Sequence, residues 1–450
     1  MTQIYIDGAF VDPSGEAVRS VTNPATGKPL ADIADGSGID IDRAVTAAQR
    51  ASADWFHASP DVRQNAMRAS AVALRDDRPA IEAMLVAEGG LTQREARASF
   101  DAAAMALEMP HSERAQGPTV RAVLGPSSSP LLPVMRDLSR ALSAGETVVM
   151  KPCGGTALSL LAVARAWRHL PNGVVNVVPG DAATGQILLA HAGVDAVAFT
   201  GSPAVARGLV VGERPARIDT GGEDAAIVRR DADLDAAVRA IAWSRLRHGG
   251  RACASSRRIY VDAAIAMDFT IRLHEYLGVL EVDDPAKATS MMGPLLSAAA
   301  AKSCEGRVVK SMREGARLVL GGFRFRPAGL AGYWLQQTIL ADVPPGTLPM
   351  REEMSGPVLT VSSYTDERQV LEWLSSPSLP LGISAFGADE ESLLAWLTGI
   401  PATAVWVNVP QSDYDIAQPA SSPTVFRSMS ADARVDYYEH DSYPQGIVAS

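Results

Sequence analysis

The chain has 450 residues, 47% of them hydrophobic and 20% charged, with a formal net charge of -10 and a pI near 5.3. This length exceeds one ordinary core and predicts two domains, and the composition is typical of a globular protein. The acidic balance argues against nucleic acid or an anionic membrane as the main partner, so the expected ligand is a small molecule.

The N-terminal segment "MTQIYIDGAFVDPSGE" has no basic region followed by an apolar core, and no later stretch has about twenty apolar residues in a row. Three cysteines, Cys153, Cys253 and Cys304, are widely spaced, which suits a reducing compartment and gives no zinc ligand set. These features predict a cytoplasmic protein without a membrane segment and without a bound metal.

The first half of the chain reads as helices followed by an alternation of strands and helices. Apolar residues recur three and four apart from about Ile39 to Leu107, which predicts surface-covering helices. The β-branched runs "ETVVMK", "GVVNVV" and "DAVAFTG" then alternate with the helical patterns "TALSLLAVARAWRHL" and "ATGQILLAHAG". This alternation predicts a doubly wound parallel sheet, whose ligand lies beyond the carboxyl ends of the strands, where Lys151 and Gly201 fall.

A second α/β set follows the segment "AAIVRRDADLD". Asp233 or Asp235 can cap a helix that ends at Gly249 and Gly250, and "RRIYV" reads as the next strand. The further strands "ARLVLGG", "GPVLTVSSY", "GISAFG" and "ATAVWVNV" interleave with helices such as "DERQVLEWLSS". From about Gln411 the chain has little periodicity, which indicates a tail.

Four short patterns carry candidate chemistry. Cys253, in "HGGRACASSRRIYV", is a candidate nucleophile, and the alternative is a small buried residue in a tight turn. Asp219, before a glycine pair in "DTGGEDAAIV", is a candidate general base or a solvated turn residue. Lys151 can reach a ribose or phosphate or lie on the surface, and Glu352 with Glu353 in "REEMSGPV" forms a carboxylate pair of a kind that is usually exposed.

The order and spacing of several segments are more specific than any one of them. "NPATGKPLADI", "VVMKP", "LPNGVVNVVPG", "VAFTGS", "TGGEDAAIV", the Cys253 segment, "REEMSGPVLTV" and "TAVWVN" together resemble the aldehyde dehydrogenase superfamily over about residues 1–408. The resemblance implies an α/β fold with a Rossmann-like parallel-sheet coenzyme domain, a catalytic α/β domain and a small oligomerisation element. The expected division is 1–222 for the coenzyme-binding domain with the N-terminal helices, 223–410 for the catalytic domain and 411–450 for a divergent tail.

The same resemblance assigns roles to individual residues. It places Cys253 at the family's catalytic nucleophile and Asp219 at its general base, where the family has Glu. Lys151 and Glu353 match the positions that hold the ribose groups of the coenzyme. The remaining coenzyme-binding positions are Gly201, Ser202 and Gly221.

Several positions depart from the family pattern. Ser128, in "GPSSSP", stands where the family's oxyanion hole has Asn, and serine is a shorter donor. Gly154 replaces an acid that holds the adenosine ribose, Ala206 replaces a glycine of the phosphate turn, and Ser355 replaces a ring that packs on the nicotinamide. The segment where subunit-contact strands normally lie is shortened, and "QSDYDIAQPASSPTVF" replaces the family's substrate-wall segment.

The resulting hypothesis is oxidation of an aldehyde through a thiohemiacetal and a thioester on Cys253, with NAD or NADP as the coenzyme. The choice between the two coenzymes, and the loss of both, stay open at this point. Two alternatives are coenzyme-independent acyl-transfer or thioester chemistry at Cys253, and a non-catalytic member that keeps only the fold. The expected partners are an aldehyde or acyl substrate and a second copy of the chain in a homodimer, without nucleic acid or membrane.

Overall fold

The computed structural model describes residues 3–109, 111, 114–220, 224–374, 382–400, 402, 404–412, 424–427 and 447–448. The chain divides into two compact units, Met1–Gly89 with Glu95–Thr220 and Gly90–Arg94 with Gly221–Ser450. Gly221, one of the predicted coenzyme-binding positions, lies outside the described residues, as does most of the predicted tail. The domain division at residues 222 and 410 stays a prediction.

The predicted helical region forms four consecutive helices, and its start is fixed by a capping box. The Ser37 side chain accepts from the backbone N–H of Asp40, whose carboxylate in turn accepts from the backbone N–H of Ser37 at 2.9 Å. The helices of this part of the chain are α1 (Gly38–His57), α2 (Pro60–Asp76), α3 (Arg78–Gly89), α4 (Gln93–Glu108), α5 (Leu132–Ala144), α6 (Leu158–Val163), α7 (Ala182–Ala190) and α8 (Pro203–Ala206). A 3-10 helix, Ala164–His169, continues α6.

The first unit is built on a sheet of the order β2-β1-β7-β6-β5-β8-β9. The five strands β7, β6, β5, β8 and β9 are parallel to one another, and β1 is antiparallel to β7. Helices α1 and α7 pack through Ile41 and Leu188 on Ala122 and Leu124, while α5 contacts β5, β6 and β8. The strands of this unit are β1 (Ile4–Ile6), β2 (Ala9–Val11), β3 (Val18–Thr22), β4 (Pro29–Ala34), β5 (Val120–Leu124), β6 (Thr147–Lys151), β7 (Val175–Val177), β8 (Ala196–Gly201) and β9 (Ala216–Thr220). The predicted doubly wound sheet is confirmed, and its direction of winding reverses between β5 and β8.

The second unit contains a sheet of the order β12-β13-β14-β11-β10-β15-β16-β17-β18, parallel except at its two edge strands. Its strands are β10 (Ala225–Val228), β11 (Arg258–Asp262), β12 (Arg317–Leu320), β13 (Thr338–Ala341), β14 (Val358–Tyr364), β15 (Gly382–Phe386), β16 (Ala404–Val407), β17 (Thr424–Arg427) and β18 (Ile447–Val448). Its helices are α9 (Leu234–Gly250), α10 (Ala266–Val279), α11 (Ala298–Arg313), α12 (Leu348–Arg351), α13 (Glu367–Leu374) and α14 (Glu390–Leu397), with a 3-10 helix at Pro327–Gly329. Asp233 caps α9 by accepting from the backbone N–H of Ala236 at 3.0 Å.

The described parts of the predicted tail belong to the second unit. Strand β17 pairs with β16 in parallel and β18 pairs with β17 in antiparallel orientation. Gln411 is fully buried, and its amide donates to the carbonyl oxygens of Ala225 at 2.6 Å and Gly382 at 3.4 Å. The chain therefore contributes core contacts and sheet pairing beyond residue 410. No helix of the described residues combines the length and the apolar character needed to span a bilayer.

A buried carboxylate joins the helical region to α6. Both oxygens of Glu88 accept from backbone N–H groups, from Leu158 at 2.7 Å and from Ser159 at 2.8 Å, at the start of that helix. Burial nevertheless raises the pKa of Glu88 from 4.5 to about 7, because the charged form loses its hydration. The ionised carboxylate is thus disfavoured in the fold, and its contribution to stability falls as the pH rises from about 4.5 towards 7.

We expect the free energy of unfolding of the protein to fall by about 2 to 3 kcal/mol through Glu88 between about pH 5 and about pH 8. Glu88→Gln cannot ionise, so its free energy of unfolding in urea should depend less on pH than that of the wild type. Glu82→Gln, on the same helix, removes a carboxylate that pairs with Arg78 at 2.6 Å and should keep the wild-type pH dependence. Equal pH dependence in wild type and Glu88→Gln would contradict this expectation.

Candidate functional site

Several predicted site positions lie at the carboxyl edge of the sheet in the first unit. Ser128 follows β5, Lys151 ends β6, Gly201 ends β8 with Ser202 directly after it, and Asp219 is the next-to-last residue of β9. Since β6, β5, β8 and β9 are adjacent and parallel, these residues come to one edge of the sheet. Ser128 and Gly201 flank the point at which the winding reverses, which is where ligands of doubly wound sheets bind.

Asp219 is exposed but held by an arginine. The Arg217 Nε lies 3.1 Å from a carboxylate oxygen of Asp219 and 3.7 Å from one of Asp137, which is buried on α5. Burial, together with the like charge of Asp219, raises the pKa of Asp137 to about 6. Arg217 therefore lies between two carboxylates and restrains the one that the sequence singles out as a base.

The side chain of Lys151 is half-buried beside α7. A Cβ at Gly185 would lie 3.8 Å from its Cδ, so the lysine stem passes close to this glycine. Burial lowers the pKa of Lys151 because the ammonium group loses hydration. Ser202 begins the short helix α8 by accepting from the backbone N–H of Val205 at 3.3 Å. The predicted coenzyme positions of this unit thus combine a cationic group with a turn at the end of β8.

In the second unit the predicted residues lie at the opposite end of the strands. Cys253 precedes β11 and Glu353 precedes β14, and these strands are parallel neighbours; Asp224, which the sequence did not single out, precedes the adjacent parallel strand β10. They therefore lie at the amino edge of the sheet, where α9 ends. This location differs from the carboxyl edge used by the first unit.

The last three residues of α9 leave the helical conformation and form a left-handed turn before the cysteine loop. His248, Gly249 and Gly250 have φ angles of 52°, 64° and 77°. A Cβ at Gly250 would lie 2.1 Å from the backbone carbon and oxygen of Gly356, which no real side chain allows. The backbone N–H of Gly356 donates to the carbonyl oxygen of Gly250 at 3.0 Å. Glycine at 250 is required because the cysteine loop and the Glu353 loop touch through their backbones.

Arg245 holds the same two loops together from the interior. Its guanidinium is fully buried and donates to the carbonyl oxygens of Val358 at 2.7 Å, Gly250 at 3.2 Å and Gly356 at 2.5 Å. It also donates to the hydroxyl of Ser255 at 3.0 Å. These bonds tie the end of α9 and the Cys253 loop to the start of β14.

Arg257 links Glu353 to the cysteine loop. Its buried guanidinium lies 3.1 Å from a carboxylate oxygen of Glu353 and donates to the carbonyl oxygens of Ala252 at 3.1 Å and Cys253 at 3.5 Å. Asp224 lies 4.0 Å away on another side. The carboxylate predicted to hold a ribose is therefore engaged by an arginine that also contacts the backbone of Cys253.

Asp224 fixes the start of three strands. Its carboxylate accepts from the backbone N–H of Ser255 at 3.0 Å and of Gly382 at 2.9 Å, and its carbonyl accepts from the N–H groups of Arg257 and Arg258. The sequence analysis missed Asp224, Arg245 and Arg257. The available signal was a set of charged residues beside runs that read as buried strands, since a buried charge needs partners.

The structure separates the three cysteines, which carry thiols rather than disulfides. Cys304 is buried in the apolar core of the second unit with Leu295 and Val308, and burial raises its pKa to about 11. Cys153 and Cys253 are partly buried. Cys304 is thus a small buried residue, whereas the role of Cys253 as nucleophile stays a prediction.

The chain is similar to known proteins over most of its length. A family model described as "Aldehyde dehydrogenase family" matches residues 10–421. Lactaldehyde dehydrogenase of Escherichia coli K12 is 30% identical over 435 residues, 90% of each chain, and glutarate-semialdehyde dehydrogenase of Pseudomonas aeruginosa is 30% identical over 414 residues, 86% of this chain and 85% of the other. The crystal structure of Escherichia coli lactaldehyde dehydrogenase matches with a TM-score of 0.86 at 29% identity and covers 93% of each chain.

The contact between the two loops of the second unit predicts a sharp difference between two glycines. Gly250→Ala should lower the free energy of unfolding by about 3 kcal/mol or more, because its Cβ collides with backbone atoms and its φ is positive. Gly278→Ala, near the end of α10 with no described atom within 4 Å of the new Cβ, should stay within about 1 kcal/mol of the wild type. Urea unfolding of both variants measures the difference, and similar values for the two would contradict the close approach.

Proposed function

Because the chain belongs to the aldehyde dehydrogenase family, we propose that it oxidises an aldehyde to the corresponding acid through a covalent adduct at Cys253, with NAD or NADP as the coenzyme. The observation that carries this proposal is the loop around Cys253. Cys253 is only partly buried, and its backbone carbonyl accepts from Arg257, next to a turn held by Arg245. A nucleophile needs both access and a fixed position.

In the proposed reaction the Cys253 thiolate attacks the carbonyl carbon of the aldehyde, so that a carbon–sulfur bond forms and the carbonyl oxygen becomes an oxyanion. The hydroxyl of Ser128 donates a hydrogen bond to this oxyanion. A donor of this kind is worth about 100- to 1,000-fold in turnover when it is well placed. Ser128 is half-buried, which leaves its hydroxyl able to reach a ligand.

The residues of the first unit are compatible with a dinucleotide. Lys151, Gly201 and Ser202 would hold it at the carboxyl edge of the sheet, and Glu353 of the second unit would contact a ribose. A Cβ at Gly155 would have no described atom within 4 Å, so there is open space just beyond Lys151. A bound nicotinamide coenzyme supplies the acceptor for the hydride whose departure turns the thiohemiacetal into a thioester.

Asp219 acts as the general base in this proposal. Water attacks the thioester carbonyl, Asp219 takes the proton from that water, and the acid leaves as the Cys253 thiolate is restored. The contact of 3.1 Å with Arg217 supports this part because it restrains an otherwise exposed carboxylate.

One contact favours a second candidate function, thioester or acyl-transfer chemistry at Cys253 without a coenzyme. Glu353 is already engaged by Arg257 at 3.1 Å, so a ribose hydroxyl has to compete with a buried guanidinium for this carboxylate. The thiol and the base of the first candidate suffice for thioester hydrolysis. The two candidates differ in whether reduced coenzyme is formed.

The first experiment incubates the protein with NAD or NADP and a panel of aldehydes that includes lactaldehyde and glutarate semialdehyde. We expect absorbance from the reduced coenzyme, and a loss of at least about 1,000-fold in Cys253→Ser, which lacks the nucleophile. Cys304→Ala, which removes a buried thiol, should keep the activity. An acyl adduct on Cys253 in mass spectra without reduced coenzyme would favour the second candidate. If neither reduced coenzyme nor an acyl adduct is found, the protein is a non-catalytic member of the family.

The assignment of Asp219 predicts an accumulating intermediate. Asp219→Asn should slow turnover by about 100-fold or more, because water then loses its proton acceptor while formation of the thioester is less affected. Mass spectrometry during turnover should show the acyl group on Cys253 in this variant. Asp219→Glu keeps a carboxylate and should restore hydrolysis. Slow turnover without an acyl adduct would place the function of Asp219 elsewhere.

A further inference from the structure

The carbonyl groups on both sides of the Cys253 side chain accept hydrogen bonds from arginines. Arg257 donates to the carbonyl oxygens of Ala252 and Cys253. Arg247, at the point where α9 leaves the helical conformation, donates to the carbonyl oxygen of Ala254 at 2.7 Å. Ala252 and Ala254 are fully buried, so the bonds from the arginines replace bonds to water. The backbone that carries the thiol is therefore fixed by Arg247 on its C-terminal side, as it is by Arg257 on the other.

Arg247 is itself held by contacts within the second unit. Its side chain is buried, and its guanidinium lies 4.8 Å from the centre of the Trp243 ring, one helical turn earlier. The nitrogen that donates to Ala254 also donates to the backbone carbonyl oxygen of Gln411 at 3.3 Å. Movement of a buried guanidinium away from its acceptors is costly. Arg247 therefore couples the position of Ala254 to that of Gln411.

Gln411 lies beyond β16, in the segment that replaces the family's substrate-wall pattern. Its side-chain amide donates to the carbonyl oxygens of Ala225 at 2.6 Å and Gly382 at 3.4 Å, the first residues of β10 and β15. These strands are neighbours in the interior of the second sheet. The position of Gln411, and with it the acceptor for Arg247, is thus set by the amino edge of that sheet.

The residues that lead from β16 to Gln411 pack against the same loop. Trp406 and Val409 form a small apolar cluster with the methyl group of Ala254, in which the alanine and the tryptophan are fully buried. Ala254 is therefore fixed through its side chain by this cluster and through its carbonyl group by Arg247. A change in this segment reaches the neighbouring Cys253 by both routes.

We propose that Arg247 and Gln411 are positioning residues, which hold the residue after Cys253 and so orient its thiol towards the aldehyde. This inference rests on the proposed function, since it assigns these two residues a part in that reaction through the loop backbone. A misplacement of about 1 Å can cost a reaction about 100-fold in rate when the reacting atoms need one orientation. A small reagent that diffuses to the thiol from any side has no such requirement.

The test compares two reactions of the same thiol: turnover of an aldehyde, and alkylation by iodoacetamide followed by mass spectrometry of the peptides. Arg247→Met keeps an apolar stem but removes the donor, and should lower kcat by about 10- to 100-fold with KM changed by less than about 3-fold. Cys253 of this variant should be alkylated at least about 3-fold faster, because a loosened loop exposes the thiol more. Gln411→Met should shift both rates in the same directions by a smaller factor.

Matched variants and the other two cysteines serve as controls. Arg247→Lys keeps a cationic donor and should recover part of the lost turnover. Arg272→Met, which removes an exposed arginine paired with Asp235 at 2.7 Å, should change neither rate. In the same digest we expect Cys153 to react at the wild-type rate and Cys304, which is buried, to stay protected. These two thiols separate a local change from a general loss of the fold.

An unchanged alkylation rate of Cys253 in Arg247→Met overturns the inference, and so does slower turnover that comes with slower alkylation. Where Arg247→Met leaves Cys304 open to the reagent and has thus lost its core, Gln411→Met decides by the same two rates. A wild type that oxidises no aldehyde contradicts the proposed function, while the alkylation rates still show whether Arg247 and Gln411 hold the loop.

Discussion

The hydrogen bonds of Arg245 are the interaction on which the arrangement of the second unit depends. A guanidinium without solvent is costly unless all its donors are satisfied, and here carbonyl oxygens of two loops and a serine hydroxyl satisfy them. The carbonyl groups of Gly250 and Gly356 each accept one backbone N–H as well, so Arg245 adds a second donor to both. The loop of Cys253 and the loop of Glu353 therefore take one relative position.

The predicted site residues lie at the carboxyl edge of the sheet in the first unit and at the amino edge in the second, and the charges of the helix ends at these two edges differ. At the carboxyl edge of the first sheet, α5 begins after Ser128 and α7 after Asp181, so N–H groups face that edge and favour anions. At the amino edge of the second sheet, α9 ends and presents carbonyl groups. The positively charged guanidinium groups of Arg245 and Arg257 donate hydrogen bonds to carbonyl groups at this edge. The first edge suits phosphate, whereas the second suits a rigidly held nucleophile.

The sequence predicted those parts of the structure whose determinants are local. Strands β6 to β8 and helix α9 have patterns complete within a few residues, whereas β5 contains Arg121, whose charge is satisfied by Glu146 directly before β6. The resemblance singled out Cys253 and Glu353, but Arg245 bonds to carbonyl groups more than a hundred residues later in the chain. Such partners meet only in three dimensions, and no local pattern encodes them.

The burial of Cys304 has a consequence for how the protein meets oxidants. Peroxide reacts with exposed thiolates, and Cys304 is neither exposed nor readily ionised, since its sulfur packs against Gly356 in an apolar core. Sulfenic acid formation is thereby disfavoured at Cys304, whereas Cys153 and Cys253 lie at the rims of the two sheets and are less buried. Oxidative damage can silence the proposed chemistry while the core that positions it stays intact.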